Sequence, residues 1–412
     1  MLTLLRNADV FDPRPLGRRD VLVCAGRVVA VEPALEVPRQ VACEVLDVAG
    51  MALVPGLLDA HVHLGGGGGE SGFASRVPPL FFSALTTAGV TTVVGLLGTD
   101  TTTRSIEDLV ARAYGLREEG LSAYCWTGGY AVPPCTLTGS VRRDIVFCDP
   151  VIGCGETAIS DHRSSQPTLE EIVRLAADCH VAGLTTKKAG VLHLHLGDGT
   201  RGLDLVRRAL ETTELPARTF HPTHVNRRAA LWEEARHLAR ERGVVVDVTA
   251  FPIEEGDEAL AADVAVEAWL DARLPTLGLT LSSDGGGCLP TFDADGRVAS
   301  MDVGRPSMLE GTLRALLGRG RALADVLPFF TSNVARVLRL ERKGQVRVDA
   351  DADLIVLAPG GFIRHVMARG RMVVREGEPV VRGAFERSAE ATRRAEPTGF
   401  PGVPGETECP HE

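Results

Sequence analysis

The chain has 412 residues, 44% of them hydrophobic and 24% charged, enough apolar material for one large domain and a smaller companion. A formal net charge of −10 gives no reason to expect nucleic acid or an anionic membrane as partner. The opening residues lack a charged leader before a long apolar run, and the 9 cysteines are scattered without CxxC spacing; the expectation is a cytoplasmic chain with reduced thiols and no membrane span.

Short strands come first. Leu2–Ala8 is followed by Asp20–Cys24 and Arg27–Val31, joined through Ala25-Gly26, a hairpin signal. The pattern returns near the far end in Asp353–Leu357, Phe362–Ala368 and Arg371–Arg375, with Arg369-Gly370 as the turn. Neither flank is large enough to stand alone, so 1–53 and 341–387 are expected to pair as a small β-sandwich domain. The last segment, 388–412, is rich in Pro, Gly, Glu and Thr without apolar periodicity, and reads as a disordered tail.

Between the flanks, over 54–340, apolar strand-like runs alternate with helical stretches. The predicted strands are Ala52–Leu64, Thr91–Leu97, Ser122–Gly128, Pro150–Ser160, Val191–Gly197, Arg218–Val225, Val244–Ala250 and Leu277–Ser283. Predicted helices include Leu169–Ala182 after the cap-like Thr168, and Arg227–Arg242 ending at Gly243. That alternation predicts an α/β fold, a (β/α)8 TIM barrel, with chemistry at the carboxyl ends of its strands.

The residues best suited to chemistry fall at those ends. His61 and His63 are alternate residues of the first strand, so their imidazoles share one face. Alone, such a pair could be two core histidines. His195, His224 and Asp284 follow at later strand ends, where Leu-rich or β-branched runs give way to Gly, Asp or Asn. An open doubly wound sheet would draw its site from a few strands beside a switch point, not from strands spread around the whole unit. Imidazoles and carboxylates converging in this way suit a metal.

Longer strings sharpen the reading: Asp59–Leu64 followed by Gly65–Glu70, Val93–Asp100, Ala158–Ser164, Pro222–Arg227 and Leu281–Gly287. Together they resemble the amidohydrolase superfamily and, within it, the isoaspartyl (β-aspartyl) dipeptidase family, from about residue 1 to about 387. The resemblance implies two Zn2+ per chain, other divalent ions being possible substitutes: His61 and His63 bind one with Asp284, and His195 and His224 bind the second. It implies a metal-dependent dipeptidase in which a metal-bridging hydroxide attacks the β-carbonyl of an isoaspartyl dipeptide. Tyr130 polarises that carbonyl, and Asp284 moves the proton to the leaving amine. A homo-oligomer, commonly an octamer, is implied as well.

One departure concerns the bridge. The superfamily usually joins its metals with a carboxylated lysine at the end of strand four, but Val151–Ala158 has none, and Glu156 is its only ionisable residue. Glu156 is therefore the expected bridge, an apparent extra residue before Thr157 compensating for its shorter side chain. The alternative is that Glu156 pairs with Arg163 while Lys187 or Lys188 supplies a carbamate.

An isoaspartyl dipeptide carries an ammonium and two carboxylates, so its pocket needs an anion and several donors. Glu70, after the glycines 65–69, is the candidate for the ammonium, Arg163 and Arg227 for the terminal carboxylate, and Thr99 for the inner one. Cys288 stands where the family pattern has serine, placing a thiol, a weaker donor than a hydroxyl, at the substrate's carboxylate end. His193 is expected in the barrel interior or against a metal ligand from behind, whereas His162, His180, His221, His237, His365 and His411 read as structural or surface, His221 being the one most open to another role. Two rivals stay open: another amidohydrolase, such as a cyclic amidase or an N-acyl-amino-acid deacylase, and a non-catalytic scaffold of the same fold.

Overall fold

A computed structural model describes residues 2–253, 258–292 and 298–386; the tail expected at 388–412 lies outside them. Its centre is a curled set of parallel strands: β1 (Leu57–Val62), β2 (Val90–Gly95), β3 (Ser122–Thr127), β4 (Val151–Ser160), β5 (Val191–Leu196), β6 (Phe220–Thr223), β7 (Val246–Thr249) and β8 (Leu279–Ser282). The first six pair in sequence as one sheet, and β7 pairs with β8. Closure comes from Val225 N donating to Asp247 O at 3.3 Å on one side and His63 N donating to Gly285 O at 2.8 Å on the other. The expected barrel is borne out.

These strands read as near-continuous apolar runs because helices cover their outer faces and side chains fill the inside. The helix Leu169–Thr186 shows how each cover is built. Thr168 and Glu171 cap it reciprocally, and Ile172, Leu175, Ala176, Cys179 and Ala182 lie buried at helical spacing. Each large apolar side chain so buried contributes about 1.5–3 kcal/mol. The helix outruns its predicted end by a turn and stops where Lys187 adopts φ 62°. Ala229–Arg242 ends as expected at Gly243, φ 68°.

The flanks meet in one nine-stranded sheet, ordered from Glu378–Pro379 through Arg371–Arg375, Ile363–Ala368, Leu354–Leu357, Ala52–Pro55, Leu2–Asp12 and Arg14–Cys24 to Arg27–Glu32, with Cys43–Asp47 also on Leu2–Asp12. Both predicted turns have positive φ at each central residue, 49° and 80° at Ala25 and Gly26, 48° and 77° at Arg369 and Gly370. One predicted element is corrected. Ala52–Leu64 is not a single strand: Ala52–Pro55 pairs with Leu354–Leu357 of the flanking sheet, and the barrel strand begins at Leu57. The break falls at Gly56, where a Cβ would lie 2.1 Å from the Thr91 hydroxyl oxygen.

A buried cation ties the sheet domain to the barrel. Lys343 Nζ donates to Ser122 Oγ at the start of β3 at 2.6 Å, to Asp351 Oδ2 at 2.9 Å, and to Asp353. Among the described residues no helix is long and apolar enough to cross a membrane.

Candidate metal centre and substrate cleft

Six potential ligands meet at the carboxyl end of the barrel, every one of them buried. His61 comes from β1 and His63 lies just beyond it, Glu156 from β4, His195 from β5, and His224 and Asp284 follow β6 and β8. The last two have left-handed backbone, φ 60° and 52°, uncommon for residues with side chains and a feature of functional turns.

Glu156 reaches the centre because β4 is bulged. Leu192 pairs with Cys154 but Leu194 pairs with Thr157, so three steps along β4 face two along β5. The extra residue anticipated in the sequence is absorbed there. Gly155 is required at the bulge, since a Cβ would come within 2.6 Å of the His193 carbonyl oxygen. Glu156 Oε1 then lies 3.5 Å from His63 Nε2, while Oε2 lies 2.8 Å from His195 Nδ1 and 3.5 Å from both His61 Nε2 and His224 Nε2. Asp284 Oδ1 is 3.5 Å from His61 Nε2 and 3.1 Å from His63 Nε2.

Most of these separations exceed those of charge-assisted hydrogen bonds, about 2.7–2.9 Å. They match instead the edges of a tetrahedron of donors about 2.0–2.1 Å from a shared zinc, roughly 3.3–3.4 Å. His61 Nε2 and Asp284 Oδ1 are buried without any hydrogen-bond partner among the described residues, an arrangement costly unless an ion joins them. Three overlapping groups could hold ions: His61, His63 and Glu156; His61, His224 and Asp284; Glu156, His195 and His224. The residues fit a metal centre.

The surrounding bonds set the ligand atoms. His61 Nδ1 is 2.8 Å from His193 Nε2, and His224 Nδ1 is 2.6 Å from Thr249 Oγ1, so both rings turn Nε2 inward. His195 is reversed, with Nε2 2.9 Å from Asp161 Oδ2 and Nδ1 toward Glu156. Burial pushes the His224 imidazole down to about 3, favouring the neutral form that binds metal. Burial opposes ionisation of Glu156 and Asp284, yet the facing imidazoles hold both carboxyls well below their usual range.

The centre floors a cleft lined also by Gly67, Gly68, Glu70, Gly98, Thr99, Asp100, Arg104, Tyr130, Arg163, Arg227 and Cys288. Every site residue singled out in the sequence is therefore in one place. Glu70 Oε1 accepts from Thr99 Oγ1 at 3.1 Å and lies 3.4 Å from Arg163 Nη1, while Oε2 is buried and unpartnered among the described residues. Arg163 also clamps Asp161 with Nε and Nη2 at 3.0 and 2.7 Å. Tyr130 OH sits 3.0 Å from His195 Nδ1, and burial pushes its pKa well up, so it keeps its proton. Burial, with Glu70 adding to it, pushes the Cys288 thiol up to about 11.

The glycine loop is packed rather than open. Arg104 donates to Gly65 O and, at 2.9 Å, to Gly67 O, and Gly67 N donates to Gly286 O at 2.7 Å. Lys188 is excluded as a carbamate donor to the centre: its ammonium donates to Ile145 O, Cys148 O and Val151 O at 2.7, 2.6 and 2.9 Å, at the amino end of β4. Two features escaped the sequence reading. Asp161, which joins His195 to Arg163, lay unassigned inside a quoted motif. His221, read as structural or surface, is buried and bonded to His193.

The amidohydrolase family model matches residues 52–373. The chain belongs to the amidohydrolase family. It is similar to a solved structure of β-aspartyl dipeptidase from the thermophilic, keratin-degrading Fervidobacterium islandicum AW-1 in complex with β-Asp-Leu dipeptide. The two are 43% identical, the match covering 92% of this chain and 97% of that one, with a TM-score of 0.87. A second structure of that dipeptidase gives 41% identity, coverage of 92% and 98%, and a TM-score of 0.84. Among curated relatives, a dihydroorotase of Pediococcus pentosaceus is 26% identical over 250 residues, 51% of this chain; the match spans 57% of that relative. This amidohydrolase is a hydrolytic enzyme, and its likeness to β-aspartyl dipeptidases extends over nearly the whole chain.

Proposed function

We propose that this amidohydrolase is a binuclear zinc dipeptidase that cleaves the β-aspartyl bond of isoaspartyl dipeptides, with Glu156 as the bridging ligand in place of a carboxylated lysine. The carrying observation is charge matching within one cleft. A group of buried ligands with the unpartnered His61 Nε2 and Asp284 Oδ1 faces Glu70, Arg163 and Arg227, which complement an ammonium and two carboxylates. The similar Fervidobacterium dipeptidase, solved with β-Asp-Leu, supports the same substrate class.

When bound, two divalent ions would acidify a water and polarise the scissile carbonyl. Glu70 Oε2 accepts from the substrate ammonium while Arg163 and Arg227 hold the terminal carboxylate, orienting the amide over the ligands. Thr99 acts chiefly by holding Glu70. The Tyr130 O–H donates to the carbonyl oxygen as negative charge develops there. Asp284 takes a proton from the attacking water and returns it to the leaving amine. Cys288 is a protonated neighbour of the substrate, not a nucleophile. The eight described cysteines are free, which suits the cytoplasmic setting included in this reading; a homo-oligomer is included by family likeness.

The test is hydrolysis by zinc-loaded protein of β-Asp-Leu, α-Asp-Leu, dihydroorotate, hydantoin and N-acetyl amino acids. Cleavage of β-Asp-Leu at least 100-fold faster than the rest is expected. Preference for a cyclic amide or acylated amino acid would replace the proposal, and no turnover with metal bound would favour the scaffold.

A further inference from the structure

Beneath the metal ligands, a chain of buried polar groups crosses the barrel interior. His61 Nδ1 lies 2.8 Å from His193 Nε2, His193 Nδ1 lies 3.0 Å from His221 Nδ1, and His221 Nε2 lies 2.9 Å from Thr280 Oγ1. Thr280 in turn donates to Asp247 Oδ1 at 2.6 Å, whose other oxygen accepts from Thr223 Oγ1 at 2.7 Å and from Ser282 Oγ. All five members of the chain are buried. Trp126 stacks on the His193 ring with centroids 5.4 Å apart and planes inclined by 19°, holding it in register.

The direction of every bond follows from the far end. An ionised carboxylate only accepts, so the single hydroxyl proton of Thr280 goes to Asp247, and Thr280 Oγ1 must accept from His221 Nε2–H. A neutral His221 then presents a bare Nδ1. His193 must donate to it from Nδ1, leaving its own Nε2 bare. That nitrogen can only accept, which requires a proton on His61 Nδ1 and leaves His61 Nε2 as the atom for metal. Burying an imidazolium away from a facing anion costs more than burying a neutral ring, so His193 and His221, both buried, each carry one ring proton.

We propose that Asp247, Thr280, His221 and His193 form a one-way hydrogen-bond relay of positioning residues that fixes the Nδ1–H tautomer of His61 and aims its Nε2 lone pair at the metal centre. A ligand shared between two candidate groups gains most from such control, since the wrong tautomer would put a proton where an ion must sit. The relay draws on β1, β5, β6, β7 and β8, so it also fixes those strands relative to one another at one level.

The inference rests on the metal-centre reading and is tested separately from it. Zinc affinity is measured by chelator competition on the full chain for wild type, Thr280→Val and Thr280→Ser. Valine keeps the shape of threonine without its hydroxyl, and its weaker ion is expected to bind about tenfold less tightly, the low end of what outer partners of metal ligands carry. Serine, which keeps the hydroxyl and loses the methyl, is expected to stay within about twofold of wild type. Long-range 1H–15N spectra of zinc-loaded, histidine-labelled wild type supply a readout that does not depend on a variant folding; Nδ1–H is expected at His193 and Nε2–H at His221. Wild-type protein that takes up no zinc would refute the underlying metal reading. Wild-type uptake with Thr280→Val unchanged, or with His193 protonated at Nε2, would overturn the relay alone.

Discussion

Replacing Glu156 with Gln separates the proposed bridge from a merely buried acid. Oε1 faces His63, 3.5 Å away, while Oε2 faces His61, His195 and His224 at 3.5, 2.8 and 3.5 Å. A carboxamide has nearly the same volume but only one accepting oxygen, and its N–H2 would point at the nitrogens on the other side. One ion therefore loses a ligand and the pair loses its shared negative charge. Loss of an outer partner already costs about 10–100-fold in metal affinity or activity, so loss of a direct ligand should cost roughly 1,000-fold in the affinity of one ion, about 4 kcal/mol. Elemental analysis after dialysis should then fall from two zinc ions per chain to one, and kcat/KM for β-Asp-Leu should drop by about 1,000-fold. A Gln variant that retains both ions and stays within threefold of wild-type kcat/KM would refute the bridge.

Other outcomes follow from the cleft and the domain junction. Arg227→Met should raise KM for β-Asp-Leu by roughly 100-fold, the worth of a charge-assisted contact to the terminal carboxylate, with zinc content unchanged by elemental analysis. Cys288→Ser should lower KM severalfold and leave kcat within about twofold in steady-state kinetics, because a hydroxyl is the better donor and the thiol is not a nucleophile. Lys343→Met should cost about 3–5 kcal/mol in urea unfolding by leaving buried Asp353 without its cation. Burial works against the Lys343 ammonium, yet Asp353 and Asp351 hold its pKa above the ordinary value. Its contribution is therefore full below the unfolded-state lysine pKa and lost as pH rises through the higher folded value. The wild type should approach the variant's stability only in strongly alkaline urea titrations.

The cluster of candidate ligands was legible because strand alternation and the Gly, Asp and Asn that end strands are local signals. His61 and His63 announce a shared face, and Asp284 announces a turn. The bulge at Gly155-Glu156 was legible as one residue too many. What could not be read depended on neighbours distant in sequence. Ala52–Leu64 is apolar throughout, so nothing in it marks Gly56 as the point where the chain leaves one sheet for another. The antiparallel pair Cys288–Phe292 and Val298–Val303 after β8 went unpredicted because it lies beyond the last barrel strand in a Gly- and Asp-rich stretch. His221 gives no local sign that its ring meets His193 from another strand, and Asp161 looks like an ordinary loop acid until His195 is brought beside it.

On the proposed function, a pair of ions flanks Glu156. Anomalous diffraction at the zinc edge from crystals of the zinc-loaded protein tests it most directly. Two peaks are expected, one beside His61, His63 and Asp284, the other beside His195 and His224, with a Glu156 oxygen toward each. A single peak, or peaks away from Glu156, would contradict it.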